Sequence, residues 1–203
     1  MKDVLYKVQA VSTADIDVQF QEAHLHPMRR QRIAALSRKE AIASSLLGDH
    51  LARELAAKLC SCDPLTLLVE EGKYGKPGLQ GADAEISIAH SGIYAAAAAA
   101  KRPVGIDLEK RRPVSRSIPM RLFSREEQEW LERTPEHYLD RFFRLWTMKE
   151  AYGKMRGFGI FSSKQFYARF VRDELLVFYP DCLFQFPDAP DGYYLSLCVE
   201  RER

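Results

Sequence analysis

The sequence predicts an α+β fold built from two halves of similar make-up, and three observations carry that reading. Each half holds one long amphipathic helix, each holds several short strand-like runs, and the tripeptide Lys39-Glu40-Ala41 of the first helix recurs as Lys149-Glu150-Ala151 in the second. The recurrence suggests an old duplication. A chain of 203 residues can form one compact domain or two small units sharing a core. The natural boundary falls near Arg102-Pro103, dividing the chain into 1–102 and 103–203.

The elements follow in order. Val4 to Ala10 reads as a strand. A long helix follows Ser37, because Ser37-Arg38-Lys39-Glu40 has the form of a capping box and Leu47, Leu51, Leu55 and Leu59 fall in one i,i+4 row. Tyr74-Gly75-Lys76-Pro77-Gly78 is punctuated as a loop. Glu85 to Ala89 alternates as a strand, with Ile86 and Ile88 on one face. Ala95 to Ala100 is ambiguous, since alanine favours helix but the run has strand length. Val104 to Leu108 is a strand begun after Pro103. Ser124 to Glu127 is a second capping box, opening a short helix to about Arg133. Asp140 to Met155 is a helix stopped by Gly157, with Leu145, Met148, Tyr152 and Met155 as its core stripe and Phe142 and Trp146 widening it. Phe166 to Val171, Leu175 to Tyr179 and Tyr193 to Val199 read as strands.

Composition excludes several classes. Thirty basic residues against twenty-eight acidic ones give a formal charge of +2, too little for wholesale nucleic-acid binding. No apolar run approaches the roughly 20 residues that span a bilayer, and the N-terminus lacks a signal-peptide core. Cys60, Cys62, Cys182 and Cys198 are too sparse for a disulfide framework and lack metal-ligand spacing, so they read as buried or incidental thiols of a reducing cytoplasm.

Several residues carry potential chemistry. On a strand over Gly105 to Glu109, Asp107 and Glu109 project from one face while Ile106 and Leu108 enter a core. Such paired carboxylates are either ordinary surface acids or two ligands of a Mg²⁺ ion that completes its shell with water and phosphate. Glu150 and Lys154, one turn apart on the shoulder of the second helix, are either a solvated ion pair or a third acid and a phosphate-facing lysine. Together, the strand and helix outline a phosphoryl-transfer site. His90, just before Ser91-Gly92, is structural or a phosphate hydrogen-bond donor. Lys76 sits in a stiff loop that allows close ligand approach. Arg29, Arg30, Arg32, Arg38 and Lys39 form either a solvated helix face or a clamp on a phosphorylated ligand.

Four segments in order resemble the Sfp-type 4′-phosphopantetheinyl transferases: Tyr74-Gly75-Lys76-Pro77, Ile86 to Ser91, Val104 to Glu109, and Trp146 to Lys154. Phe123-Ser124 followed by Glu126-Glu127 is similar to the family's linking motif, and the resemblance spans roughly Leu46 to Phe170. It implies two similar α+β lobes in pseudo-twofold relation, with the active site and coenzyme A in the cleft between them, and Ala95 to Ala100 as a strand. Asp107, Glu109 and Glu150 then become Mg²⁺ ligands, with Glu150 also the base for a carrier serine. Lys154 stabilises or protonates the departing phosphate. Lys76, Pro77, His90 and Ser91 border coenzyme A. The resemblance also implies a monomer and an acyl, peptidyl or aryl carrier protein as partner, docking near Gly157 to Phe166 through Phe158, Ile160 and Phe161. Two positions depart from the pattern. Ala89 replaces a serine, and Ser44-Ser45 stands where relatives often have an arginine, which leaves the 3′-phosphate to Arg29, Arg30 or Arg32.

Two other readings use the same residues. A Mg²⁺ phosphohydrolase would activate water with the same acids and release free phosphopantetheine. A nucleic-acid module would use Arg29 to Lys39 and show steep salt dependence without a need for Mg²⁺.

Overall fold

The computed structural model describes residues 3–72, 75–158, 166–171 and 174–202. Strand β1 (Val4–Ala10) leads into helices α1 (Ile16–Glu22), α2 (Pro27–Ala34) and α3 (Lys39–Cys60). A short ribbon, β2 (Leu68–Glu71) with β3 (Pro77–Gln80), precedes β4 (Glu85–Ser91), β5 (Tyr94–Ala100) and β6 (Val104–Lys110). Helices α4 (Ser117–Leu122), α5 (Arg125–Glu132) and α6 (Tyr138–Arg156) follow, then β7 (Phe170–Val171), β8 (Glu174–Leu175), β9 (Cys182–Gln185) and β10 (Tyr193–Glu200). One antiparallel sheet has the order β1-β5-β4 and another the order β6-β10-β9. Helix α3 packs on β5 and β4, and α6 packs on β6 and β10.

The alanine run is a strand, and its packing explains why tertiary context overrides helix propensity. Ala97 and Ala99 meet the α3 face at Leu51 and Leu55. Ala96, Ala98 and Ala100 face the other way, against Val104, Ile106, Leu108, Leu195 and Leu197. All six alanines are completely buried. A strand covered closely on both faces has room only for small side chains. The leucine row of α3 also forms, with Leu51 and Leu55 buried and Leu47 and Leu59 packed against the same cluster.

Several sequence expectations change at element ends. The capping box expected at Ser37 does not form: α3 starts at Lys39, and its cap residue Arg38 makes no side-chain capping bond. The Ser124–Glu127 box does form, with both reciprocal bonds present. Pro77 and Gly78, expected in a loop, belong to β3, where Pro77 occupies the end of the ladder opposite Glu71. Of the two aromatic runs only Phe170–Val171 and Leu175 lie in named strands, Leu175 together with Glu174 from the break between the runs. Phe166 and Ala168 instead pack into the α6 core. The four cysteines are unpaired thiols, and Cys182 and Cys198 are buried. The two Lys-Glu-Ala tripeptides do not occupy equivalent places. The first opens α3, whereas the second lies deep inside α6, so this match does not align the two helices.

Serine hydroxyls join the facing edges of the two sheets. Ser87 Oγ accepts from Ile106 N at 3.0 Å, and Ser91 Oγ accepts from Lys110 N at 3.0 Å. The spacing is four residues on both strands, so hydroxyls satisfy edge amides that no backbone carbonyl reaches.

Two features fix α6. At Gly105 on β6 the helix backbone comes so close that a Cβ would overlap the Ala151 carbonyl and crowd Met155 N. Behind the helix, Lys149 and Glu127 form a completely buried ion pair at 2.9 Å. Lys149 also donates to Phe166 O at 2.5 Å, while Glu127 accepts from Ser124 N and Ala168 N, each at 2.7 Å. Full hydrogen bonding makes this buried pair tolerable, and losing one partner would cost about 3–5 kcal/mol.

Because the Gly105 contact is backbone to backbone, Gly105→Ala should destabilise the protein by about 1–3 kcal/mol or more. The expected result is a lower urea midpoint. An unchanged midpoint would mean that α6 moves off β6 without penalty.

Candidate functional site

The side-chain alternation of β6 sends Ile106 and Leu108 into the core, while Gly105, Asp107 and Glu109 occupy the opposite face, toward α6. Asp107 is buried, not the surface acid of the plainer reading. Lys154 does not close a helix pair with Glu150. Its Nζ donates to Asp107 Oδ1 at 2.8 Å and to Ile88 O at 3.3 Å, joining α6, β6 and β4. Two carboxylate oxygens, Asp107 Oδ2 and Glu150 Oε1, are buried without a hydrogen-bond partner among the described residues. Burial pushes the Asp107 carboxyl up to about 6, against the pull of Lys154, with Glu109 adding to the rise. Burial and then the Asp107 charge push Glu150 up to about 7. Glu109 accepts from Ser91 Oγ at 3.0 Å and pairs with Arg112 at 2.8 Å.

A cleft of about 250 Å³ adjoins these acids, lined in part by Arg29, Arg32, Ser45, Pro77, Ile88 and His90. Ile88 belongs to both regions, because its carbonyl holds Lys154. Partial burial, followed by the Lys154 charge, lowers the His90 pKa, which favours the neutral imidazole. Arg32 pairs with Glu71. A larger cavity of about 480 Å³ lies elsewhere, between β1, α1 and α3, and includes none of these acids.

A model of the 4′-phosphopantetheinyl transferase superfamily matches residues 103–193. A 4′-phosphopantetheinyl transferase of Bacillus subtilis is 32% identical over 179 residues, covering 84% of this chain and 80% of the relative. The chain belongs to this transferase superfamily. The 4′-phosphopantetheinyl transferase Sfp of Bacillus subtilis (strain 168) is 30% identical, with 86% of this chain and 82% of that protein covered. HetI of a Nostoc species is 35% identical over 142 residues, covering 66% of this chain and 55% of its own.

In this family member the expected site residues divide. Asp107, Glu150 and Lys154 come together, and Arg29, Arg32, Pro77 and His90 gather in the cleft beside them. Arg30 does not. Its guanidinium donates to Phe20 O at 2.9 Å and Ala23 O at 2.6 Å and stacks over the Phe20 ring, so it braces α1. Lys76 is committed to Glu85 at 2.8 Å and to Met155 O at 3.3 Å, and Ser91 to Glu109 and the Lys110 amide. Within the expected carrier-docking segment, residues 159–165 lie outside the described residues. Phe158 is exposed and Phe166 is buried. Sequence reasoning missed Arg112, which holds Glu109, and Asp49, which holds Arg29. An aspartate between Leu47 and Leu51 on an apolar helix row was the available signal for the second.

The two orphaned oxygens fit a divalent cation, which would satisfy both and relieve their mutual repulsion. Among the described residues no three acid, histidine or cysteine side chains are already grouped to hold a metal, and Glu109 is engaged by Ser91 and Arg112.

The raised carboxyls have a consequence for stability. Asp107 and Glu150 bind protons more tightly folded than unfolded, so folding is favoured at low pH and weakened as pH rises from about 4 to about 7. In chelator-treated protein, Glu150→Gln should flatten that decline and exceed the parent's stability at pH 7.5 by on the order of 1–3 kcal/mol. Urea titrations at pH 5 and 7.5 measure this. Parallel pH profiles for the two proteins would refute the burial of Glu150 as an unpaired acid.

Proposed function

We propose that this chain is a magnesium-dependent enzyme that moves the 4′-phosphopantetheine arm of coenzyme A onto a serine of an apo carrier protein, releasing 3′,5′-ADP. The observation that carries the reading is Glu150, a buried carboxylate with a free oxygen and a pKa of about 7, beside Lys154 and a cleft lined by arginines. The names of the relatives agree with it. In this reading the chain forms two similar α+β lobes, 1–102 and 103–203, in pseudo-twofold relation with the site between them. In this reading the reaction belongs to a reducing cytoplasm, which the unpaired cysteines support.

Coenzyme A lies with its charged end against Arg29, Arg32 and His90. Asp107 and Glu150 would hold the Mg²⁺ ion, and Glu109, now paired with Arg112, would be the third ligand. When bound, that ion supplies neutralisation of the charge developing on the pyrophosphate. The serine oxygen bonds to the β-phosphorus as the bond from that phosphorus to the bridging oxygen breaks. Glu150 takes the serine proton through its second oxygen, the role of a positioned carboxylate base. Lys154 turns from Asp107 to the departing phosphate, and 3′,5′-ADP leaves with the bridging oxygen. The carrier domain docks beside the C-terminal end of α6, where Phe158 is exposed.

Incubation with a panel of apo carrier proteins, coenzyme A and Mg²⁺ tests the function, with intact mass as readout. A mass gain of one phosphopantetheine on a carrier is expected. Release of free phosphopantetheine without carrier would point to hydrolysis instead.

Lys154→Ala should lower kcat by on the order of 10²-fold while changing coenzyme A binding much less. If only KM for coenzyme A rose, Lys154 would be a simple binding group.

A further inference from the structure

Asp49 sits in mid-α3 with 1% of its surface exposed, on the buried side of a helix that packs mainly through Leu46, Leu51, Leu55 and alanines. Its carboxylate takes both oxygens to one partner. Arg29 Nε donates to Oδ2 at 3.1 Å, and Arg29 Nη2 donates to Oδ1. Arg53 and Arg32 add their charges from nearby, so one buried acid faces three guanidinium groups. Burial opposes this ionised state and pushes the Asp49 carboxyl up. An acid kept there against its own desolvation calls for a reason beyond packing.

Arg29 supplies one. It comes from α2, is itself mostly buried, and lines the cleft with Arg32 and His90. Asp49 occupies the Nε–Nη2 edge of its planar fork, and Nη1 makes no hydrogen bond among the described residues. A guanidinium clamped on one edge has its other edge fixed in direction, ready for a second oxyanion. Ser44 gives no help, since its hydroxyl donates to Glu40 O at 2.7 Å within α3.

We propose that Asp49 is a positioning residue that aims Arg29 at the 3′-phosphomonoester of coenzyme A, and so sets the preference for coenzyme A over its 3′-dephospho form. This rests on the coenzyme A reading above. Arg32, on the same cleft, adds its charge once a phosphate draws it from Glu71, and the clamped fork of Arg29 supplies direction as well as charge.

The test measures kcat/KM for coenzyme A and 3′-dephospho-coenzyme A, together with binding of 3′,5′-ADP and 5′-AMP by calorimetry. The parent should favour the 3′-phosphorylated member of each pair by about tenfold or more. Asp49→Asn should remove most of that ratio, and so should Arg29→Lys, which keeps the charge but not the fork. Combining the two should cost little more than either alone, because both break one contact. If the parent shows no preference, the placement of coenzyme A in this cleft fails. If the parent discriminates and both single variants keep the full ratio, the positioning role is overturned. Should Asp49→Asn fail to fold, Arg29→Lys decides alone, since retained discrimination there would show that the fork's direction is immaterial.

Discussion

The backbone contact between Gly105 and α6 is the constraint on which the site depends. With no side chain at that position, the helix lies directly on β6, and Glu150 and Lys154 are brought over the face that carries Asp107. A larger residue would lift the helix, and the shift would pass to every group on its underside. The Lys149–Glu127 pair governs the other freedom, rotation about the helix axis. Lys149 points into the core and its neighbour Glu150 toward β6, so anchoring the lysine to α5 and to Phe166 O sets the direction of the acid. Glycine fixes the distance, and the buried ion pair fixes the angle.

That closeness is also the source of the electrostatic tension at the site. Asp107 and Glu150 are desolvated by the same approach that unites them, and one lysine cannot neutralise both. Packing the strand with hydrophobic residues would be more stable. A protein that keeps two buried, partly unpaired acids retains the stress for a ligand to relieve, a common arrangement where charge must be stabilised on demand.

Much of this was legible in the sequence wherever a short period decided the matter. Alternation over Val104 to Glu109 separated core from site, and the 3.6-residue stripe of α6 put Glu150 and Lys154 on its shoulder. Gly157 and the Ser124 box marked helix ends by local chemistry alone. Longer-range partners were not legible. Nothing local distinguishes Arg30, which braces Phe20 and Ala23, from Arg29 and Arg32, which face the cleft. The Ser37 box failed although its letters were right, since a capping pattern specifies what a terminus can do and not where tertiary packing starts the helix. The composition of the alanine run left it ambiguous for a related reason: its strand conformation is set by the space between α3 and β6, which no window of sequence contains.

The two buried aspartates repay comparison. Asp107 holds Lys154 at 2.8 Å, and Asp49 holds Arg29 by both oxygens. In each case the acid lies on the core side of the cation, which keeps a flexible cationic chain from wandering into solvent. The partners differ in a way that suits different tasks. A lysine is a point charge on a long stem, held by one carboxylate oxygen and one carbonyl, and can transfer to a new anion while leaving Asp107 Oδ2 untouched. An arginine gripped through two atoms of a planar fork cannot turn without breaking both bonds. The first arrangement suits a charge that must follow a phosphate as it departs; the second suits one that must stay still while a ligand is recognised.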